Sequence, residues 1–462
     1  MKCSQILNQA LTHDPEIYHL TQDSREVWSG SLFFCNKRGE QAQQYIQDAR
    51  QRGAAAIVCT EQREDTIFSE NPRRDYALAC QRFWQNPQEG LQLIAITGTN
   101  GKSSTAWLLQ HILESCGKKC GLIGTICSKF GQQQIPAVYT TPDAAQLYPL
   151  LAQMKQAGCT HVVLEASSQA IAQERLAGLR FVCGIFTNLS RDHLDQHGTM
   201  EEYFNVKQSI FTQCDLGLSN LDDDYGLKLS RNLSVTRYSL YSSDANYRAY
   251  QQKKDRFSSE FWLFGGREMA AVHLPFPGEF FVSNAVAALA AANLLGVPLE
   301  AGAKALKCCP AVPGRAQCLF CGSFDVLIDY AHTSDGLEKI FRLAQSCMPR
   351  KLYAVFGCAG ERDRGDRAAM AETVLRYADR AVFTADNPRG ESWQQICQDI
   401  PQQEKLLPIF DREEAIRTAA SWCCSGDLLL LLGKGHEDYQ VLADRTVYFS
   451  EEELLRQILK ND

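Results

Sequence analysis

The stretch Leu93-Ile94-Ala95-Ile96-Thr97-Gly98-Thr99-Asn100-Gly101-Lys102-Ser103-Ser104 decides how this chain folds. Four apolar residues make a short buried strand, a glycine-bearing loop follows, and Leu109, Ile112, Leu113 and Cys116 then recur at helical spacing until Gly117 caps the helix. That order suits phosphate binding. Glycines let backbone N–H groups approach phosphate oxygens, and the helix N-terminus adds partial positive charge. Lys102 is placed to reach terminal phosphates and the Ser103 hydroxyl to hold Mg²⁺. The strict phosphate-loop pattern asks for a glycine where this chain has Ile96. The flanking strand and helix supply the context instead, so Gly98, Thr99, Asn100, Gly101, Lys102, Ser103 and Ser104 are the expected nucleotide-binding residues.

Working outward, strand and helix signals alternate to about residue 310 and restart at Phe324-Asp325-Val326-Leu327-Ile328-Asp329-Tyr330. A helix follows there with Leu337, Ile340, Phe341 and Ala344 on one face, then apolar strands at 352–356, 381–384 and 428–432. Buried parallel strands separated by amphipathic helices imply an α/β protein with doubly wound, mainly parallel sheets whose ligands sit at the carboxyl ends of the strands. Upstream, the runs Ser31–Cys35 and Ala54–Cys59 belong to a small α/β unit that ends in Asn86-Pro87-Gln88-Glu89-Gly90. Three domains are expected, at 1–89, 90–312 and 313–462, in keeping with 462 residues at roughly 100–200 per domain.

The composition is that of an ordinary globular chain, 45% hydrophobic and 22% charged, with a formal net charge of −7. That balance excludes non-specific attraction to nucleic acid or an anionic membrane. There is no apolar run long enough to span a bilayer and no signal-peptide core after Met1, so a cytoplasmic location is expected. The nineteen cysteines, an odd number in a long chain, point to free thiols in a reducing compartment. Cys308-Cys309 with Cys318-x-x-Cys321 could make a four-thiolate zinc site. Residues three apart on a strand face opposite sides, however, which favours small buried hydrophobes.

Two further strands end in polar residues where the ligand crevice should lie. His161-Val162-Val163-Leu164 delivers Glu165, and Val182–Thr187 delivers Asn188 followed by Ser190-Arg191-Asp192-His193. A carboxylate and an imidazole at adjacent strand ends suit a second Mg²⁺ beside a triphosphate. The next helix sets Tyr203, Val206, Ile210 and Phe211 on its buried face, and Lys207 falls on that face too. A buried ammonium is costly. Lys207 either snorkels to solvent or reacts with CO₂ to a carbamate, which would serve as a metal ligand.

These residues resemble a known family. Gly98-Thr99-Asn100-Gly101-Lys102, Glu165-Ala166-Ser167-Ser168, Asn188-Leu189-Ser190-Arg191-Asp192-His193-Leu194-Asp195 and Lys207 are similar to the motifs of the Mur ligases, ATP-dependent peptide ligases of cell-wall precursor synthesis. Downstream, Pro313-Gly314-Arg315, Asp329-Tyr330-Ala331-His332, Arg362-Asp363-Arg364-Gly365, Asp386-Asn387-Pro388-Arg389 and Gly433-Lys434-Gly435-His436-Glu437 resemble the members that add diaminopimelate to UDP-N-acetylmuramoyl-L-alanyl-D-glutamate.

The resemblance implies an N-terminal domain for the UDP end, a central ATPase and a C-terminal Rossmann-like domain for the amino acid. It also implies an acyl-phosphate mechanism in a monomer with ATP and two Mg²⁺ ions. By the same resemblance Lys207 is the carbamylated lysine, Glu165 and His193 are metal ligands beside Ser103, and Asn284, Arg315 and Asp329 contact ATP. Ser24, Thr140, Thr141, Ser167, Gln173 and Arg175 are implied contacts of the UDP-muramoyl dipeptide. Arg362, Asp386, Asn387, Pro388, Arg389, Gly433 and Glu437 are implied contacts of the amino acid. Arg389 carries a physical argument of its own: a guanidinium clamps with two hydrogen bonds the second carboxylate that diaminopimelate has and lysine lacks.

The chain departs from the family pattern at Gln169, where histidine is usual after the two serines, and at Ser334, where proline is expected. Ala359 stands where glycine is common, Asp366 replaces an expected basic residue, and Gln41-Ala42-Gln43-Gln44 follows Arg38-Gly39-Glu40 in place of the usual sequence. Two other readings stay open at this point. One is the same chemistry on another substrate, such as lysine or a folate-type carboxylate, and the other is a nucleotide-binding subunit without turnover.

Overall fold

The computed structural model describes residues 1–320, 324–361 and 364–458. Three α/β sheets carry the fold. The small N-terminal sheet joins His19–Thr21, Ser31–Cys35, Ala56–Cys59 and Ile67–Phe68, all parallel. The central sheet has eleven strands, and at its heart Phe181–Phe186, Gln92–Thr97, His161–Glu165 and Cys120–Ile123 lie side by side and parallel. Antiparallel strands Cys127–Phe130 and Gln133–Pro136 extend one edge, which makes the sheet mixed. The C-terminal sheet runs Gln317–Phe320, Asp325–Asp329, Leu428–Leu432, Leu352–Cys358, Arg380–Ala385, Leu406–Pro408, parallel except for its first strand. The expected α/β class with mainly parallel sheets is what the chain adopts.

Two compact units contain these sheets. The first takes Met1–Tyr250, Leu263–Ala270 and Ser283–Ala305; the second takes Gln251–Trp262, Ala271–Val282 and the chain from Leu306. Among the described residues no helix is long and apolar enough to cross a membrane.

Local chemistry sets the element ends. The helix Lys102–Ser115 starts at Gly101, whose φ of 86° suits glycine, and it is buried nearly all round rather than along one stripe. Thr199 and Glu202 form a capping box at the start of Met200–Ser209. That helix ends one residue before Ile210, and its buried residues are Tyr203, Phe204 and Lys207; Val206, expected inside, is only half-buried.

The described cysteines are free thiols, and among the described residues no three or more His, Cys, Asp or Glu side chains cluster so as to hold a metal ion. Cys308 is exposed while Cys309 is buried, and Cys321 lies outside the described residues.

Two of the departures from the family pattern meet in space. Thr333 caps the helix Ser334–Ser346 by accepting from the Gly336 N–H at 3.2 Å. Ser334 donates its N–H to Asp366 Oδ2 at 3.1 Å and its hydroxyl to Oδ1 at 2.7 Å. A proline at 334 has neither donor. Asp366 therefore fastens the first turn of Ser334–Ser346 to the first turn of Gly365–Tyr377. In a double-mutant cycle of Ser334→Ala and Asp366→Asn, unfolding in urea should give a coupling of about 1 kcal/mol. Strict additivity would mean that the two residues act independently.

His161 supplies a second check. It is 4% exposed, its Nδ1 lies 2.8 Å from Thr160 Oγ1, and its Nε2 has no partner among the described residues. Burial, reinforced by the Lys118 charge, pushes its pKa down from 6.5 to about 4. Between those values the unfolded chain binds the proton and the folded chain does not. The stability due to neutral His161 is thus full above pH 6.5 and is lost as pH falls toward 4, by up to about 1.4 kcal/mol per pH unit. Urea midpoints at pH 7 and pH 5 should separate less in His161→Gln than in the parent protein.

Candidate active site

Parallel order brings the carboxyl ends of Gln92–Thr97, His161–Glu165 and Phe181–Phe186 to one end of the central sheet. The loop after the first is locked from the third. The Thr99 N–H donates to Asn188 O at 2.9 Å, the Asn100 N–H to Asn188 Oδ1 at 2.9 Å, and Asn188 Nδ2 returns a bond to Asn100 O at 3.0 Å. A Cβ on Gly98, at φ 145°, would collide with Thr187 Oγ1, so only glycine fits. A Cβ on Gly101 would meet Asn284 Oδ1, which also accepts from Thr105 Oγ1 at 3.3 Å.

Lys102 Nζ donates to the carbonyls of Gly98 and Thr99 at 3.0 and 2.9 Å. Lys207, 1% exposed, donates to the same Gly98 carbonyl at 2.9 Å, with its ammonium 4.8 Å from the centre of the Tyr203 ring. It does not snorkel. Burial first, and then the Lys102 charge, hold Lys207 well below the usual lysine range, opposed only by Asp192. Tyr203 is fixed in turn: its hydroxyl lies 3.3 Å from Thr99 Oγ1 and its ring stacks on His197 at 4.9 Å. His197 Nε2 is 3.0 Å from Ser168 Oγ. His193 has a left-handed backbone, φ 52°, with its ring facing Tyr203 edge-on at 6.3 Å. Partial burial lowers its pKa against the pull of Asp192.

Glu165 is 2% exposed and accepts from Ser103 Oγ at 3.0 Å, the Thr125 N–H at 2.8 Å and Thr125 Oγ1 at 3.0 Å. The hydroxyl and carboxylate expected to hold a metal are therefore in contact, a donor set that suits Mg²⁺ completed by water and phosphate. Thr125 Oγ1 also lies 3.0 Å from the Thr140 hydroxyl, Thr141 Oγ1 donates to the Glu165 carbonyl at 2.6 Å and lies 3.1 Å from the Ser167 hydroxyl, and Arg175 donates to Thr141 O at 2.8 Å and to Gln173 Oε1 at 2.8 Å. Thr140, Thr141, Glu165, Ser167, Gln173 and Arg175 thus form one connected network. Gln173 and Arg175 also line a polar cavity of about 180 Å³ with Gln22, Asn36, Arg73, Tyr76 and Asp143. Ser24, buried in the turn Ser24–Glu26, is not among its lining residues, and Gln169 is exposed.

In the second unit the same end of the sheet carries the other residues. Buried Asp329 accepts from the Ala316 and Ala331 N–H groups, each at 2.7 Å. Burial raises its pKa against the pull of Arg315, whose guanidinium lies over Tyr330 at 4.7 Å. Asp386, Asn387 and Pro388 follow Arg380–Ala385 and are buried; Arg389 is half-buried at φ 52°, its N–H on Val441 O at 3.1 Å. Gly433 donates to Asp329 O at 3.1 Å, and Glu437 Oε2 accepts from Asn387 Nδ2 at 3.0 Å. Arg367, 2% exposed, grips Glu391 at 2.7 Å just beyond Arg389. Arg362 lies outside the described residues.

Asn188, Thr125, Tyr203 and His197 were not picked out as site residues from the sequence. Asn188 stands inside a quoted motif, and His197 lies two residues beyond its end. Thr125, between two strands, gave no sequence signal.

Two family descriptions match this chain: Mur ligase middle domain over residues 96–292, and Mur ligase, glutamate ligase domain, over 314–435. The UDP-N-acetylmuramoyl-L-alanyl-D-glutamate–2,6-diaminopimelate ligase of Geobacillus kaustophilus is 38% identical over 97% of this chain and 96% of its own length. A Clostridium acetobutylicum protein, the first of that name, is 36% identical over 96% of this chain and 95% of itself. A solved structure of UDP-N-acetylmuramoyl-L-alanyl-D-glutamate–2,6-diaminopimelate ligase aligns with TM-score 0.73 at 30% identity, covering 100% of this chain and 99% of that one. With more than a third of its residues shared along almost its whole length, the chain belongs to the Mur ligase family and is an ATP-dependent amino-acid ligase.

Proposed function

We propose that this enzyme joins meso-diaminopimelate to the D-glutamate side-chain carboxylate of UDP-N-acetylmuramoyl-L-alanyl-D-glutamate, in peptidoglycan precursor synthesis. The observation that carries this is Arg389, held beside buried Asp386 and Asn387 by its own backbone bond to Val441, in a chain whose relatives bear that substrate in their names. The expected domains at 1–89, 90–312 and 313–462 then divide the UDP end, ATP and the amino acid among them. The cavity bearing Arg73 and Arg175 supports a place for the anionic UDP part.

In this reading the glutamate carboxylate oxygen attacks the γ-phosphorus of ATP and ADP departs, leaving an acyl phosphate. The amine nitrogen of diaminopimelate attacks the acyl carbon, and the tetrahedral adduct expels inorganic phosphate to leave the amide. Backbone N–H groups of residues 98–104 and the Lys102 ammonium orient the triphosphate and balance its charge. Ser103, Glu165 and His193 would hold Mg²⁺, which neutralises charge on the transferring phosphoryl group. Lys207 lies in a setting that favours the neutral amine, the form that adds CO₂ to give a carbamate and a released proton. His193 is brought near Lys207 by their shared neighbour Tyr203.

With ATP, Mg²⁺ and the UDP-muramoyl dipeptide, phosphate release should be faster with diaminopimelate than with lysine. A site built around the second carboxylate rejects lysine by ~10⁴-fold, because the arginine is otherwise left unpaired. Faster turnover with lysine would sink this specificity. Lys207→Ala should be inactive and partly rescued by a short-chain carboxylic acid, and full activity without rescue would show that no carbamate is needed.

A further inference from the structure

The loop after Leu428–Leu432 buries a lysine completely. Lys434 is 0% exposed, and its ammonium lies 3.4 Å from Asp386 Oδ1, 3.2 Å from Asn387 Oδ1 and 3.3 Å from Glu437 Oε2. The Tyr439 ring closes one side, 5.6 Å away. Asn387 is thereby fixed: its oxygen faces Lys434 and the Val441 N–H at 2.9 Å, and its nitrogen faces Glu437. Val441 in turn accepts from the Arg389 N–H at 3.1 Å. One buried charge thus sits at the centre of the residues proposed above to hold the amino acid.

An apolar side chain would hold such a loop at lower desolvation cost, so the charge itself calls for an explanation. Asp386 and Glu437 bring two negative charges to one point, and Lys434 offsets one of them. The remaining negative charge, with the positive charge of Arg389, matches the ammonium and carboxylate of a zwitterionic end. Without Lys434 the site carries an excess negative charge. It then favours an end with an ammonium alone.

We propose that Lys434 is a positioning residue whose buried charge sets the charge count of the amino-acid site, and with it the preference for a zwitterionic distal end over a bare ammonium. This rests on the function proposed above. Specificity here is partly repulsion: the site is kept from being a good cation site.

The test compares the full-length enzyme with K434M, D386N and the double variant D386N/K434M, measuring kcat and KM for diaminopimelate, lysine and ATP. The ratio of kcat/KM for diaminopimelate over lysine should fall about tenfold in K434M, rise in D386N, and return to within about threefold of the parent value in the double variant. KM for ATP should stay constant. The double variant removes Lys434 together with its buried partner Asp386 and leaves Glu437 its bond from Asn387, so it answers the question even where K434M fails to fold. A double variant as indiscriminate as K434M, or equal ratios in all four proteins, overturns the proposal, since a purely structural lysine does not order specificity by charge. KM for lysine should fall in K434M and rise in D386N. That trend is readable even in a parent enzyme that prefers lysine, so Lys434's role and the proposed diaminopimelate specificity fail separately.

Discussion

The carbonyl oxygen of Gly98 accepts hydrogen bonds from two lysine side chains, Lys102 at 3.0 Å and Lys207 at 2.9 Å, and the glycine loop is arranged around that shared acceptor. Two like charges converging in a buried place raise each other's cost, and the deeper one gives way. Lys207 is that group. The convergence exists because Gly98 takes a backbone conformation suited to glycine and lies against Thr187 with no room for a side chain. Asn188 then latches the next two residues in place. The loop is therefore held by the protein's own contacts, so little ordering would remain to oppose the phosphate binding proposed for it.

The same topological rule operates in each unit. Parallel strands release their chains at one end of the sheet, so residues distant in sequence become neighbours there. In the central sheet this brings together Thr97, Glu165 and Thr187; in the C-terminal sheet it brings together Asp329, Asp386 and Gly433. The two clusters solve the problem of buried charge differently. The first lowers one lysine's affinity for its proton. The second surrounds Lys434 with carboxylates and an amide oxygen.

What the sequence made legible follows from range. The strand at Gln92–Thr97, the glycine loop and the buried position of Lys207 are fixed by spacing within one or two elements, and they appear in the structure where periodicity put them. Contacts between loops carry no such signal. Thr125 binds Glu165 from forty residues away, and His197 reaches Ser168 across the loop between two strands' ends. The helix buries Tyr203, Phe204 and Lys207, and Val206, adjacent to Lys207 and so about 100° round the helix from it, falls at the edge of that face.

Departures from a family pattern are hard to weigh singly for the same reason. Ser334 and Asp366, thirty-two residues apart, each look like a loss when read along the chain. In the fold each supplies the partner that the other needs: serine brings the two donors that proline lacks, and aspartate brings the two acceptors that a basic residue cannot. The sign inversion at 366 is thereby absorbed locally, between two helix N-termini where a carboxylate is also favoured by the helix dipoles. Gln169 is exposed, while an imidazole reaches the neighbouring Ser168 from His197. A substitution weakens a site only when the group that faced the old side chain is left without a partner. By that criterion the changes at 334 and 366 leave the junction of these two helices intact.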